Sequence, residues 1–246
     1  MTNARSSATR PVVEDLQRIF GSRLSAVVVY GWRQHGAVPT LALVHSIGLD
    51  DLNVCAERAG SWRKHGVATP LLLTRDDFAS SLDAFPIEYG EIIAHHEVVF
   101  GDDPFDGLAI GREDLRRACE VQVKSHLLHL REDYLEAGGR HSEIEALVRE
   151  SAPGFGALLR HLARLDQAPA HRPADLVDYA STRLQLEPHV VSDLLTLADS
   201  DGMSGIDAVR VFPSYLRAME RLAEFVDRWR AARPGSALRR WTARSA

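Results

Sequence analysis

The chain has 246 residues, 45% of them hydrophobic and 26% charged, with a net charge of −5. That length holds one large domain or two modest ones, and the charge gives no global basic field to favour DNA or RNA, leaving at most a local patch. Cys55 and Cys119 lie far apart, outside any metal-type spacing or disulfide framework, so a reducing, cytoplasmic compartment is expected.

The opening stretch MTNARSSATRP has no apolar core of the signal-peptide type. No later stretch approaches the roughly 18 apolar residues of a membrane span, so no membrane partner is expected. In VVEDLQRIFG, Val12, Leu16 and Ile19/Phe20 fall at helical spacing, and Gly21 stops the helix. SAVVVYG follows as a buried strand, and LALVHS (41–46) is a second. LDDLNVCAERAGSWRKHG reads as a helix ended by Gly66. TPLLLT (69–74) is a third strand, and RDDFASSL is a short helix capped by Thr74 with acids in its first turn. FPIEYGEIIAHHEVVFG is read as a strand over 87–92 and another over 97–100, with a helix over 88–96 as the competing assignment.

From Arg112 the period changes. Leu115, Cys119, Val123, Leu127, Leu130 and Tyr134 recur every three or four residues, and Gly138-Gly139 ends that helix. Ile144, Leu147 and Val148 begin a helix that Pro153 is expected to interrupt, with Phe155, Leu158, Leu159, Leu162 and Leu165 resuming it. PADLVDYASTRL and PHVVSDLLTLA are two shorter helices, each opened by proline. IDAVRVFPSYLRAMERLAEFVDRWRAA is a long last helix with Pro213 as its start or a kink. The tail beyond it carries Arg233, Arg239, Arg240 and Arg244 without an acid. Such a tail is either frayed and solvated or a small contact for an acidic partner.

Three stretches, VVVYGWRQHG, TPLLLTRDDF and FPIEYGEIIAHHEVVFGDDP, together with the order helix, strand, Tyr-Gly turn, strand, helix, strand and helical bundle, resemble the nucleotidyltransferase superfamily of the polymerase-beta type. Two-domain bacterial proteins similar to aminoglycoside nucleotidyltransferases are the members it looks most like. The resemblance implies an α+β protein. A nucleotidyltransferase-like α/β domain with a small mixed sheet would span residues 12–108. A C-terminal α-helical bundle would follow over 112–232, then a basic flexible tail over 233–246, with a ligand cleft between the domains.

In that superfamily a strand ends in Gly-Ser, and the loop's backbone N–H groups meet a triphosphate. The next strand carries Asp-x-Asp, which holds two divalent ions, and a later strand supplies a third carboxylate. Set against this pattern, Gly31 matches the glycine, and Trp32 stands at the serine, where it offers no hydroxyl. Arg33 and Gly36 fit the loop. The carboxylate positions fall near Thr40 and Ala42, and no Asp or Glu occurs between Asp15 and Asp50. Glu88 is the candidate for the third position, with Glu91 beside it. Asp50-Asp51 would be the metal acids only under a different reading of LVHSIGLDDL; ahead of a helix they read as its capping acids.

Other constellations carry less. His95-His96, His35 and His45 could suggest zinc, but adjacent strand histidines point to opposite faces. DDFASSLD and GDDPFD lack the alternating oxygen ligands and terminal Glu of a calcium loop. Trp62, Arg63, Lys64 and His65 end a helix, where cations are ordinary and base stacking is the rarer use. His126, His129, His141 and His161 fall on bundle helices. The expected activity is therefore that of a pseudoenzyme, with no metal site and with Mg and ATP as cofactors only if the transferase chemistry survives. Gly31, Trp32, Arg33 and Glu91 are the expected ligand contacts, and Glu88 the candidate catalytic acid. The expected partner is a nucleotide-like or small polar ligand, or a protein. The rivals are an active nucleotidyltransferase acting on a small-molecule or protein hydroxyl, and an interaction module working through the bundle.

Overall fold

A computed structural model describes residues 2–31, 36–168, 172–199 and 205–230. The chain divides into two compact units, Met1–Gly111 and Arg112–Ala246. Trp32, Arg33, His35 and the basic tail lie outside the described residues.

Unit 1 is built on a four-stranded mixed sheet among the described residues, in the order β3-β2-β1-β4. Its strands are β1 (Leu24–Tyr30), β2 (Thr40–Val44), β3 (Leu71–Thr74) and β4 (His96–Gly101). β1 pairs antiparallel with both β2 and β4, and β2 pairs parallel with β3. The two apolar runs become the two central strands because their side chains are buried on both faces, which only a covered sheet allows.

One face packs on helix α1 (Thr2–Phe20) and helix α2 (Leu49–Lys64): Val27, Ala42 and Val44 meet Leu16, Phe20 and Trp62. The other face, with Val28, Leu41 and Leu43, meets Phe78 of α3 (Arg75–Ser80), Tyr89 and Ile92 of α4 (Pro86–Ala94), and Phe105. Helix α1 begins ten residues ahead of the expected start at Val12 and runs through Pro11. The Thr74 cap is present as expected: Asp77 N–H donates to Thr74 Oγ1 at 3.0 Å, and Thr74 N–H donates to Asp77 Oδ2 at 3.2 Å.

One assignment is corrected. Residues 87–92 are not a strand; they lie in α4, the competing reading. Pro86 opens the helix, where its missing N–H removes no helical bond. As a strand, the segment would put Glu91 on the same face as Ile87 and Tyr89. As a helix it turns Glu88 and Glu91 away from the core while Tyr89 stacks on Phe78 at 4.5 Å.

Unit 2 is helical: α5 (Arg112–Ala137), α6 (His141–Leu165), α7 (Pro173–Arg183), α8 (Pro188–Asp199) and α9 (Ala208–Arg228). The expected break at Pro153 does not occur, and α6 runs straight through it. An interior proline costs about 3 kcal/mol. The helix buries Leu147, Val148, Phe155, Leu159 and Leu162 on both sides of it, and fully burying each such side chain contributes roughly 1.5–3 kcal/mol. Helix α9 likewise starts at Ala208, capped by Asp207, and passes through Pro213 rather than beginning there. Tyr134, expected on the inner stripe of α5, is 40% exposed and stacks on Phe212 of α9 at 4.4 Å. Both cysteines are free and buried. Burial pushes the Cys119 thiol up to about 12, which leaves it unreactive.

Candidate functional site

The apolar run of β1 stops because Gly31 turns the chain. Its φ is +58°, a left-handed conformation that a side chain resists. Tyr30 N–H still donates to the Pro39 carbonyl at 3.2 Å, so β1 stays paired up to the residue before the turn. Among the described residues a Cβ at Gly31 would meet only Pro39 Cγ, at 3.7 Å. The glycine therefore answers a backbone need.

Around this end of the sheet the register fixes the neighbours. Val29 pairs with Thr40 on one side and with Glu97 on the other. Directly paired residues share a face, so Thr40, Val29 and Glu97 form one row. The row spans two strand spacings, about 10 Å. Glu97 is the carboxylate that the sequence reading missed. Its place in HHEVVF was visible, but its cross-strand neighbour was not.

The expected acid positions of β2 are occupied by apolar or neutral groups. Thr40 and Ala42 face α1 and α2, while Leu41 and Leu43 face Phe78, Tyr89 and Phe105. All five residues of β2 are buried and uncharged. Whichever alternating set is aligned with Asp-x-Asp, this strand offers no anion to either face. The Thr40 Oγ1 is buried without a hydrogen-bond partner.

The acids further on are engaged elsewhere. Asp51 takes two hydrogen bonds from Arg23, at 2.7 and 2.8 Å, and one from Gly48 N–H at 2.9 Å. These bonds, that of Arg23 first, hold its carboxyl down at about 2. It is the capping acid of α2, as its position ahead of the helix implied. Trp62 is fully buried and donates its indole N–H to Asp15, which removes it as a stacking surface.

Glu88 is exposed on α4, and Glu91 is half-buried beside His95, 3.2 Å from its Nδ1. His96 opens β4 with its Nδ1 donating to the Ile93 carbonyl at 3.0 Å and its Nε2 3.2 Å from Asp103. The two histidines thus serve different neighbours. Among the described residues no three His, Cys, Asp or Glu side chains converge on a metal position. The buried, uncharged side chains of β2 do not fit a pair of magnesium ions. Helix α4 and β4 thus bring Glu91, His95, His96 and Glu97 to one segment, while Glu88 faces solvent.

No family model and no curated protein matches this sequence. A solved structure does: the spectinomycin adenyltransferase AAD(9) from Enterococcus faecialis, with ATP and spectinomycin, superposes with a TM-score of 0.53 over 88% of this chain and 98% of that one. Identity is 10%. The likeness is therefore one of fold. No described helix is long and apolar enough to cross a membrane. The chain has an α+β fold, an α/β unit followed by a helical unit, similar to the fold of that adenyltransferase.

Proposed function

We propose that the chain is a nucleotidyltransferase-like pseudoenzyme. It binds a nucleotide-like or small polar ligand at the Gly31 end of the unit 1 sheet and does not carry out two-metal nucleotidyl transfer. One observation carries the reading: the strand after the Gly31 turn is uncharged and buried throughout. Two-metal transfer needs paired anions to hold ions about 3.5–4 Å apart. Glu97 alone supplies one carboxylate, about two strand spacings from Thr40.

The retained turn supports the binding half of the proposal. A left-handed glycine lets backbone N–H groups approach an anion closely, and Arg33 follows two residues later to meet a phosphate. Trp32 fills the space a nucleotide would use or stacks on a ligand. Glu91 contacts polar groups of the ligand, with Glu88 at the outer edge. The fold neighbour's structure contains ATP and spectinomycin, so a nucleotide and a small polar molecule are the first ligands to test.

Isothermal titration of the full chain with ATP, with and without magnesium, tests the reading alongside an assay for pyrophosphate release. Binding that is indifferent to magnesium, with no pyrophosphate, is expected. Magnesium-dependent binding with pyrophosphate release would instead establish an active nucleotidyltransferase. No nucleotide binding in either condition would sink the ligand half and leave a protein partner as the function.

A further inference from the structure

Helix α5 carries two apolar stripes. The inner one, from Leu115 to Leu130, is buried where α6 and α9 pack on the helix. The outer one is Val121, Leu128 and Leu135, which are 68%, 63% and 78% exposed. Seven residues separate each from the next. The row therefore drifts by only about 20° per step and rises about 10 Å between side chains. Single apolar side chains are ordinary on a surface, but a row along one line makes a continuous strip. Ala118, Ser125 and Glu132 each precede a member of the row by three residues. Together the six positions alternate by three and four, the spacing of a coiled-coil seam.

A second copy of the chain matches this seam residue for residue, because a two-fold axis sets one patch against itself. The flanking charges then select the direction. Lys124 and Arg131 stand on one flank of the seam, and Glu136 stands on the other. In a parallel pair each flank meets the opposite flank of the second copy, so Arg131 faces a Glu136 and lies beside a Glu132. In an antiparallel pair each flank meets its own kind, and Arg131 meets Lys124 and Arg131. On its own molecule Arg131 pairs with Glu220 of α9 at 2.8 Å, and both side chains are nearly half exposed. A guanidinium has five N–H donors, so this pair holds the side chain in place and leaves donors for a second carboxylate.

We propose that the chain forms a parallel two-fold dimer through the outer face of α5. Val121, Leu128 and Leu135 pack on their own counterparts, and Arg131 of each copy reaches Glu136 of the other. The helix is already held by α6 and α9, so pairing orders no new backbone. The face lies wholly within the helical unit and stands independently of the reading of the Gly31 turn.

Sedimentation velocity of the full chain between roughly 1 and 100 μM, the range in which small interfaces assemble, tests it. A concentration-dependent species of twice 27.2 kDa is expected. Leu128→Glu should weaken association by about a hundredfold or more, because the two-fold axis would bury two carboxylates side by side. Position 128 is exposed in the monomer, so an unchanged melting curve at low protein concentration would show that the fold is kept. The native cysteines are free and buried, so a single introduced thiol reports the direction of pairing. Val121→Cys should cross-link the dimer under mild oxidation, since a parallel pair brings the two copies of position 121 within the roughly 7 Å between Cα atoms that a disulfide spans. An antiparallel pair sets position 121 near Glu132 and gives no cross-link. The proposal is overturned by a chain that stays monomeric throughout, which would leave this face to a different protein. It is equally overturned by a dimer that survives Leu128→Glu or that Val121→Cys fails to cross-link.

Discussion

Trp62 donates its indole N–H to the Asp15 carboxylate at 2.9 Å, beneath the sheet face that α1 and α2 cover. Trp62 is 0% exposed and Asp15 only 8%. The second oxygen of Asp15 pairs with Arg18 at 3.0 Å. The pair joins two helices 47 residues apart in sequence. Asp15→Ala would leave a buried indole N–H without an acceptor, a penalty of about 1–3 kcal/mol. Asp15→Asn keeps an acceptor oxygen and should cost less. Urea unfolding checks both: the midpoint should fall in that order with an unchanged slope.

Two left-handed glycines in the same sheet should respond differently to alanine. At Gly31 a Cβ meets only Pro39 among the described residues, at an ordinary contact distance, so Gly31→Ala should cost the backbone strain, about 1–2 kcal/mol. At Gly101 (φ +78°) a Cβ would collide with the Ser25 carbonyl oxygen across the β1–β4 ladder. Gly101→Ala therefore adds overpacking to strain and should cost about 3 kcal/mol or more. Equal midpoints for the two variants would contradict the geometry.

How much of this was legible beforehand depends on the range of the forces involved. The buried strands announce themselves as apolar runs, and the Thr74 capping box is a four-residue pattern, so both could be read locally. The same holds for α5, whose stripe from Leu115 to Leu130 ends at Gly138-Gly139. Helix α4 could not be settled this way. PIEYGEIIA is short, apolar and rich in isoleucine, and its stacking on Phe78 is a tertiary event. Pro153 misled for a related reason: its local cost is small beside the burial on either side of it. At the site, the Tyr-Gly stop gave the turn away. Glu97 stayed hidden because its closeness to Val29 is a matter of strand register, which no single segment encodes.

Placing acids on β2 should not create a metal site. Thr40 and Ala42 are 1% and 0% exposed, and their surroundings are apolar. Thr40→Asp or Ala42→Asp buries an unpaired carboxylate, at a cost of several kcal/mol. These variants should be unfolded or largely so by circular dichroism rather than magnesium-binding. Thr40→Val has the opposite sign. It deletes a buried hydroxyl that lacks a partner and should stabilise by about 1 kcal/mol. A stable, magnesium-dependent Ala42→Asp protein would show that β2 is not closed to ions.

Acid should loosen unit 1 through Asp51. Its ordinary carboxyl value is 3.8, and in the fold the Arg23 hydrogen bonds, joined by that from Gly48, hold it at about 2. A carboxyl whose pKa is lowered by folding stabilises the fold above its unfolded value. That stability is lost as pH falls through the interval from about 4 towards 2. Asp51→Asn removes the carboxylate, so the gap in stability between wild type and variant should be widest at neutral pH and narrow below pH 4. A gap that stays constant down to about pH 2 would rule this linkage out.

Asp166 should prove the most sensitive polar residue of the helical unit. Its carboxylate accepts from the Trp229 indole at 2.7 Å, from Arg183 at 2.8 Å and from the Tyr179 hydroxyl at 3.3 Å. One side chain at the end of α6 thus ties down α7 and the residue just past α9, while Arg112 lies over the Trp229 ring at 5.1 Å and donates to the Leu165 carbonyl. Trp229 and Tyr179 are buried, so Asp166→Ala would strand an indole N–H and a phenol together. The expected loss is roughly 2–4 kcal/mol, the upper part reflecting the charged acceptor. Trp229→Phe keeps the ring and removes one donor, and should cost about 1 kcal/mol. Because the two residues share one bond, the double variant should fall short of the sum by about 0.5 kcal/mol or more. Strict additivity in a denaturant double-mutant cycle would mean that the indole and the carboxylate act independently.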